Sequence, residues 1–315
     1  MYNDSDIEVF IITYNRINFL PLAIKSILEQ SIKVTNITII DNGSNDGTSE
    51  YLKTINIPII KIIINSENIS FNVFLQIKKL VSKKLVLLFH DDDILHFDYL
   101  KLALHFFNRY NKISTVLTLM EGTSEPIFSN WVINNYDKHI YCKNQVELAS
   151  LYYKNIPIPF CSNLYKTESF LKAEMDVLTY GKIFDRPFVL DVIGNDGAVL
   201  LKNNFVRVRI HPSQDSKSIN SGPFLNEILS LNNLYLNLLS DKLNKLPGRI
   251  FLKMNFFNLS RDYNWIKLKQ QNISKIHFLK LAVKNSSASY RSLFLGLFIY
   301  PINVIERFIR KYSSL

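Results

Sequence analysis

Cysteine is almost missing from this 315-residue chain: Cys142 and Cys161 are the only two. Two cysteines supply neither a disulfide framework nor a four-cysteine zinc site, so reduced, buried thiols are expected, which suits the cytoplasm. Glycine is also scarce, at 9 residues. No apolar run reaches the roughly 20 residues that cross a bilayer. The nearest approach, "LFLGLFIYPINVI" at 293–305, is 13 uncharged residues interrupted by Pro301. The N-terminal "MYNDSDIEVF" carries acids where a signal peptide needs a basic segment, so nothing in it directs export. No repeat recurs at the 20–50 residue spacing of solenoids and propellers.

What is present begins with a hydrophobic content of 47%, enough for a substantial globular core. The first half alternates strand-like and helix-like runs. "IEVFIITYN" (7–15) reads as a strand, "FLPLAIKSILEQS" (19–31) as a helix, and "NITIIDNGSNDGT" (36–48) as a strand entering a polar loop, with a short helix after it. "IPIIKIIIN" (57–65), "FNVFLQIKKLVS" (71–82) and "KLVLLF" (84–89) continue as strand, helix and strand. This order predicts a parallel sheet flanked by helices, whose ligands bind outside the C-terminal strand ends. "TYNR", "DNGSNDG" and "HDDD" all fall there. Residues 100–222 are less regular. "YLKLALHFFNRY" reads as helix, "ISTVLTLM" as strand, "NIPIPFCSNLYKTESFL" (155–171) opens with a proline-marked turn, and "FDRPFVLDVIGNDGAVLL" (184–201) is a helix followed by a turn at Gly194 to Gly197. "FVRVRIHPSQDS" (205–216) alternates as a strand broken by Pro212, and helical patterning follows from residue 223.

The stretch "LVLLFHDDDIL" sends a buried strand straight into three adjacent carboxylates. Neighbouring anions repel, and each is costly to desolvate unless something positive meets it. A divalent cation answers that need. The alternative is an acidic turn capping a following helix, with Asp93 or a neighbour accepting from free N–H groups.

Four ordered segments then narrow the choice. "IITYNRINFLPLAIKSILEQS" carries a strand ending in "TYNR" and a helix with an S-x-L-x-Q stretch. "TIIDNGSNDGT" matches a strand ending in an Asp-Asp-Gly-Ser-type loop, "LVLLFHDDDIL" with "FDYL" matches an Asp-rich metal signature, and "FDRPFVL" with "VRIHPSQDS" matches a late Asp at a helix start and a histidine-bearing strand. Over roughly residues 7–216 the chain resembles the inverting glycosyltransferases of family 2. The resemblance implies an α/β fold of the GT-A type, a Rossmann-like, mostly parallel sheet flanked by helices. Residues 1–222 would be the catalytic domain, with a nucleotide-sugar half at about 1–100 and an acceptor half at about 101–222. Residues 223–315 would be a basic helical extension.

The resemblance also implies roles. Thr13, Tyr14, Arg16, Asp41, Asn72 and Asp91 would hold the nucleotide, Tyr14 stacking on the base and Asp41 accepting its imide hydrogen. Asp92, Asp93 and His211 would serve Mn²⁺ or Mg²⁺, with Asp92 the direct ligand, Asp93 in a supporting or capping place and His211 completing the shell. Gln214 and Ser216 follow in the family's spacing. Asp185 best fits the general base, with Asp191 and Asp196 as rivals, and Arg186 beside it would favour its anionic form. Three departures stand out: Asn42 replaces the usual second Asp, His90 sits where many relatives have an acid, and "NSENISFNVF" lacks the usual Gly and Arg.

The expected reaction is metal-dependent, inverting transfer of a hexose or N-acetylhexosamine from a nucleotide diphosphate sugar, UDP-linked by preference, to a hydroxyl of a glycan or lipid-linked saccharide. Bacterial surface polysaccharide, such as O-antigen, would be a setting for it. Two other classes compete. A sugar nucleotidyltransferase needs a Gly-rich basic loop near its first strand, and "TYNRINFLP" has no Gly. A nucleic-acid-binding protein would use the basic tail but has no need of "HDDD" or "FDRP", so no nucleic acid is expected as partner.

The net charge of +10 is not spread evenly. Residues 1–222 hold 23 Lys+Arg and 23 Asp+Glu, while residues 223–315 hold 14 against 4. With the apolar run at 293–305 followed by "ERFIRKYSSL", this tail fits a segment lying in the headgroup region of an anionic membrane. The expectation is a peripheral protein on the inner face of the cell membrane that pellets with anionic but not neutral vesicles and is released by high salt. A chain truncated after residue 285 should lose this binding; equal partitioning of both chains at low salt would remove the membrane reading.

Overall fold

The computed structural model describes residues 1–123, 131–153, 156–211 and 225–245 with Ser274 and His277; residues 225 and 240–245 are described by backbone alone. In chain order the elements are β1 (Ile7–Thr13), α1 (Leu20–Leu28), β2 (Ile37–Asp41), α2 (Thr48–Thr54), β3 (Ile60–Ile64), α3 (Asn72–Leu80) and β4 (Leu85–His90). Then follow β5 (Ile94–Leu95), α4 (Tyr99–Arg109), β6 (Ile113–Thr123), β7 (His139–Cys142), α5 (Gln145–Tyr153), β8 (Asn163–Lys166) and α6 (Thr167–Lys172). The last are α7 (Val177–Tyr180), a 3₁₀ turn at Gly181–Ile183, α8 (Asp185–Ile193), β9 (Gly197–Arg209) and α9 (Leu225–Lys245).

The nearly unbroken apolar runs of β1 and β4 suit strands covered on both faces, and both are buried along almost their whole length. They form the middle of a sheet ordered β3-β2-β1-β4-β8-β6-β9-β5, with β7 also on β9. The first four strands are parallel, as the alternation predicts. Their register brings the ends level, pairing Thr13 with Asp41, Asp41 with Ile64 and Ile12 with His90. The chain therefore leaves the sheet along one edge at residues 14, 42 and 91.

Beyond β4 the sheet becomes mixed. β8 runs antiparallel to both β4 and β6, and β9 is parallel to β6. Two reversals restore direction, so β4, β6 and β9 all end at the same edge as β1 and β2. β8 was hidden in the stretch read only as a proline-marked turn, because four residues, "NLYK", are too few to show a period. β9 is 13 residues long, roughly 40 Å at ~3.3 Å per residue. It carries the chain from Asp196 at the far edge to His211 at the ligand-side edge.

Helices α1 and α4 bury Ala23, Ile27, Tyr99, Leu100, Ala103 and Phe106 in one core with Val9, Ile11, Leu87 and Phe89 of the sheet. Pro21 lies in the first turn of α1, where its missing N–H costs nothing. The S-x-L-x-Q stretch has a positioning job. The Leu95 N–H donates to Ser26 Oγ (3.3 Å), Gln30 Nε2 donates to the His96 carbonyl (3.0 Å), and the Leu100 N–H donates to Gln30 Oε1 (3.1 Å). The end of α1 and the residues just after it thus fix the segment that follows the aspartate run. Cys142 and Cys161 are both buried.

By its contacts the chain divides into two units. The first comprises Met1–Leu148, Ile156–Glu174 and Phe188–Pro212, and holds the whole sheet. The second comprises Ala149–Asn155, Met175–Pro187 and Ser213–Leu315. Within it α9 packs on α7 and the 3₁₀ turn. The apolar tail segment 293–305 lies outside the described residues, and among those described no helix is long and apolar enough to cross a membrane.

Two glycines in the loop after β2 separate backbone strain from close approach. Gly43 (φ +81°) and Gly47 (φ +97°) both adopt the left-handed conformation. A Cβ on Gly43 would lie 2.5 Å from the Glu67 carbonyl carbon, whereas one on Gly47 would meet nothing within 4 Å. Gly47→Ala is expected to cost about 1 kcal/mol, and Gly43→Ala about 2 kcal/mol or more because the β3–α3 loop must also move. Denaturant midpoints of the two variants check this; equal losses would show that the loop contact carries no weight.

Candidate active site

Three loops meet at the ligand-side edge, and the first two are sewn together. Asn15, itself left-handed (φ +54°), receives the Asn45 N–H on its side-chain oxygen (2.8 Å) and donates its own N–H to Ser44 Oγ (2.8 Å). The Arg16 N–H donates to Thr48 Oγ1 (3.1 Å) and the Ile17 N–H to Asp46 Oδ2 (3.2 Å). Every N–H from Tyr14 to Ile17 is thus used inside the protein, since that of Tyr14 goes to Asp91 Oδ2 (3.1 Å).

The aspartate run divides into three jobs. Asp91 is buried and turned back towards β1, where it meets the Tyr14 N–H. Burial, and then the charge of Asp92, push its carboxyl up to about 7, against the pull of Thr13, Arg16 and the Tyr14 N–H. Asp92 is less buried than its neighbours. Its Oδ2 lies 3.0 Å from His211 Nε2 and 3.8 Å from Arg16 Nε. Asp93 is buried and accepts the Arg209 N–H; burial and its two neighbours raise its carboxyl well above the usual range. The capping alternative is corrected here: the chain passes from Asp93 into β5, and α4 begins later, after Asp98.

His211 and Arg209 share a platform that the sequence did not flag. Phe19 stacks on the His211 ring at 4.3 Å between centroids, and the Arg209 guanidinium lies 4.7 Å from the Phe19 centroid. Phe19 follows "TYNR" by only a few residues, but a single aromatic there carries no signal without the partner that stands about 190 residues away. Gln214 and Ser216 lie outside the described residues.

Of the residues assigned to the nucleotide, Tyr14 is 40% exposed, an aromatic face turned to solvent at the strand end. Thr13 is buried, and Arg16 reaches between the first two aspartates, its Nε 4.0 Å from Asp91 Oδ1. Asp41 is fully buried, accepting from the Ser44 N–H (3.0 Å) and the Ser49 hydroxyl, so it also shapes its own loop. Asn72 opens α3 with an exposed side chain. The amide work of this region is done instead by Asn42, which donates to Asn68 Oδ1 (2.9 Å) and accepts from the Ile69 N–H (3.1 Å) and Asn65 Nδ2 (3.3 Å).

The three candidate bases separate clearly. Asp191 accepts the Glu174 N–H (2.7 Å), and Asp196 accepts from the Ser114 hydroxyl (3.3 Å) just before β9. Asp196 therefore stands at the strand-start edge, the length of β9 away from His211. Asp185 opens α8 and lies in the second unit. Arg186 and Tyr152 are its charged and polar neighbours there.

The raised Asp91 carboxyl gives a pH signature. Its folded value of about 7 lies above the usual ~3.9, so its contribution to stability is fully present below pH ~4 and lost as pH rises through about 7. In chelator, melting temperature should fall across that window and Asp91→Asn should flatten the fall. An unchanged profile in the variant would show that Asp91 is not the titrating group.

Comparison with known proteins agrees with this geometry. The structure of Staphylococcus aureus TarS superposes with a TM-score of 0.59 at 15% identity, covering 91% of this chain and 50% of TarS. TarS 1–349 in complex with UDP-GlcNAc gives 0.58 at 16% identity, covering 89% of this chain and 81% of that one. These likenesses show a GT-A glycosyltransferase fold, which is the α/β architecture expected. The uncharacterized glycosyltransferase RC0461 of Rickettsia conorii is 54% identical over 48 residues, 15% of this chain and 8% of that protein. The chain thus spans a small part of that relative and half of the full TarS. Residues 8–172, just over half of the chain, match the family described as Glycosyl transferase family 2. The chain belongs to glycosyl transferase family 2.

Proposed function

We propose that the protein transfers a sugar, with inversion, from a UDP-linked donor such as UDP-GlcNAc to a hydroxyl of a saccharide acceptor, with a divalent cation at Asp92 and His211. The observation that carries this reading is the convergence of those two side chains, 119 residues apart in sequence, at 3.0 Å on the sheet edge that also presents Tyr14. A carboxylate oxygen and an imidazole nitrogen suit Mn²⁺. Among the described residues no group of three His, Cys, Asp or Glu could enclose a cation, and a cation held by one or two side chains characteristically takes its remaining ligands from a bound diphosphate. When bound, it neutralises charge gathering on the leaving diphosphate.

The chain's own residues then have defined tasks. Tyr14 offers its ring to the base, and Asp41 holds the loop beneath it. Arg16, between Asp91 and Asp92, keeps two adjacent anions tolerable. Asp185 takes the acceptor proton, so that the oxygen attacks the anomeric carbon on the face opposite the diphosphate and an α-linked donor gives a β linkage. Asp185 is favoured over its rivals because it best fits the family position, while Asp196 stands at the strand-start edge, the length of β9 from His211. The UDP-GlcNAc and UDP complexes of TarS support the choice of donor. A lipid-linked acceptor, reached by a basic tail on a membrane surface, belongs to the same reading. The nucleotidyltransferase alternative is disfavoured because the loop after β1 has no N–H left from Tyr14 to Ile17 with which to cradle a phosphate.

Asp92→Ala is expected to keep the fold but abolish Mn²⁺-dependent thermal stabilisation by UDP-GlcNAc and release of UDP. Asp185→Asn should keep donor binding and lower turnover by about 10²-fold or more. Full activity of Asp92→Ala, or of the native chain in excess chelator, would overturn the cation; an active Asp185→Asn would move the base.

A further inference from the structure

The first unit holds a cleft of about 350 Å³ that the catalytic reading has not used, walled by Glu121 of β6, by Trp131, and by Asn203, Asn204 and Arg207 of β9. Its size falls in the range of ~300–1,000 Å³ that ligand sites occupy. Irregular pairing shapes it. From Leu117 to Leu119 of β6 the partner on β9 advances from Leu200 to Asn204, and from Leu119 to Met120 it advances from Asn204 to Val206. Such bulges bend a strand and re-aim its side chains. Beyond them Glu121 pairs with Arg207, and Arg207 pairs on its other side with Ile94, the residue after Asp93. The cleft therefore lies alongside the segment that leaves the aspartate run.

The walls are fixed by bonds made elsewhere. The Trp131 indole N–H donates to the Asn204 carbonyl (3.2 Å). Its own carbonyl lies 3.0 Å from His96 Nε2, which is the donor because His96 Nδ1 accepts the Asp98 N–H (3.2 Å). Asn203 Nδ2 donates to the carbonyls of Asn134 (3.2 Å) and Asn135 (3.1 Å), so the loop carrying Asn134 is tied to β9. The Arg207 guanidinium lies 4.3 Å from the Trp131 ring centroid, and its Nε is 3.7 Å from Glu121 Oε2. Against this fixed frame, the side-chain amides of Asn134 and Asn204 line the cleft and have no hydrogen-bond partner among the described residues. Val132, 75% exposed, adds an apolar surface to the same lining.

We propose that this cleft is a second carbohydrate site, which holds a neutral pyranose unit of the acceptor away from the point of transfer. This rests on the reading of the acceptor as a saccharide. Each free amide can both donate and accept, as sugar hydroxyls require, and Val132 meets the apolar C–H face of a ring. Glu121 and Arg207 are the only charged residues in the lining, and they offset each other. A phosphate or a nucleotide diphosphate would thus find no net positive charge to hold it. Arg207 stands four residues before His211, roughly 13 Å of extended chain at ~3.3 Å per residue, a distance that an oligosaccharide spans.

The test reads the Trp131 indole N–H by ¹⁵N NMR of the full-length protein labelled at tryptophan. The chain has two tryptophans, Trp131 and Trp265, so the signal is assigned by its loss in Trp131→Phe or, should that variant not fold, by the loss of the other signal in Trp265→Phe. Chitotetraose and maltotetraose are the neutral probes, added without donor, and inorganic phosphate is the anionic one. At least one tetraose is expected to shift the Trp131 signal to saturation, and phosphate is expected to leave it in place. Asn134→Ala and Asn204→Ala should each weaken tetraose binding about fivefold, the scale of one neutral hydrogen bond, with UDP release from UDP-GlcNAc unchanged. Glu121→Gln, which leaves Arg207 unmatched, should make the signal respond to phosphate. A Trp131 signal that neither tetraose moves, or that moves equally in both asparagine variants, would overturn the site. A native response to phosphate as strong as to the tetraoses would overturn the neutral class of ligand. Tetraose binding by a native chain that releases no UDP from UDP-GlcNAc would leave the cleft standing and overturn the choice of donor.

Discussion

A strand that ends in three adjacent carboxylates must give each of them a different partner, and the rest of the site is arranged around that constraint. Two unit charges 4 Å apart interact by about 4 kcal/mol at an effective dielectric constant of 20, a large fraction of a domain's stability. The chain separates the three. Asp91 turns to the Tyr14 N–H, Asp92 to His211 and Arg16, and Asp93 to the Arg209 N–H. Those partners come from the ends of β1 and β9, which is why both strands must finish at the same edge as β4. Burial first, and then the neighbouring aspartates, raise the carboxyls of Asp91 and Asp93. A divalent cation would supply what one arginine and one histidine do not.

The N-terminal half was legible because its signals are local. Runs such as "IEVFIIT" and "LVLLFH" are β-rich and apolar, and strand and helix patterns alternate, so β1 to β4 and the edge they share follow from the sequence pattern. The pairing of β8 between β4 and β6 did not, since a four-residue strand has no measurable period and its place is decided by tertiary contacts. The same holds at the site. Asp92 and His211 were nameable as a pair because each lies in its own motif. Phe19 beneath His211 was not, because an aromatic residue has no local signature until its distant partner is in place.

The departures at Asn42 and in "NSENISFNVF" have a physical account in each other. Asn42 donates to Asn68 and accepts from the Ile69 N–H and from Asn65. An aspartate there could accept but not donate, and would face the Asn68 oxygen with a charge. The Asn68 oxygen is already fixed by the Ser70 N–H at 2.7 Å, with Ser70 itself left-handed (φ +52°). A reciprocal amide pair, Asn65 with Gln76, ties the same loop to α3. The loop is thus held by side-chain amides where a glycine would have let the backbone bend freely. Without that loop the buried Asn42 amide would be left unmatched.

Strand β9 shows why the site cannot be assigned to the N-terminal half by itself. Arg207 and Arg209 alternate along it, and His211 follows in the same alternation two residues past its end. Arg207 lies over Trp131, with 4.3 Å to the ring centroid, and Arg209 and His211 share Phe19. Each side chain in this row has an aromatic partner, so His211, just past the strand end, is held near Asp92 by stacking on Phe19. That bracing depends on β6 and β5, which pair with β9 on its two sides. Deleting the strand would leave the aspartate run with neither the histidine nor the Arg209 N–H. The carboxylates would then keep only Arg16 and the Tyr14 N–H. Residues 8–172, the part that matches the family, end before β9 begins, so this chain draws half of its carboxylate partners from sequence beyond that match.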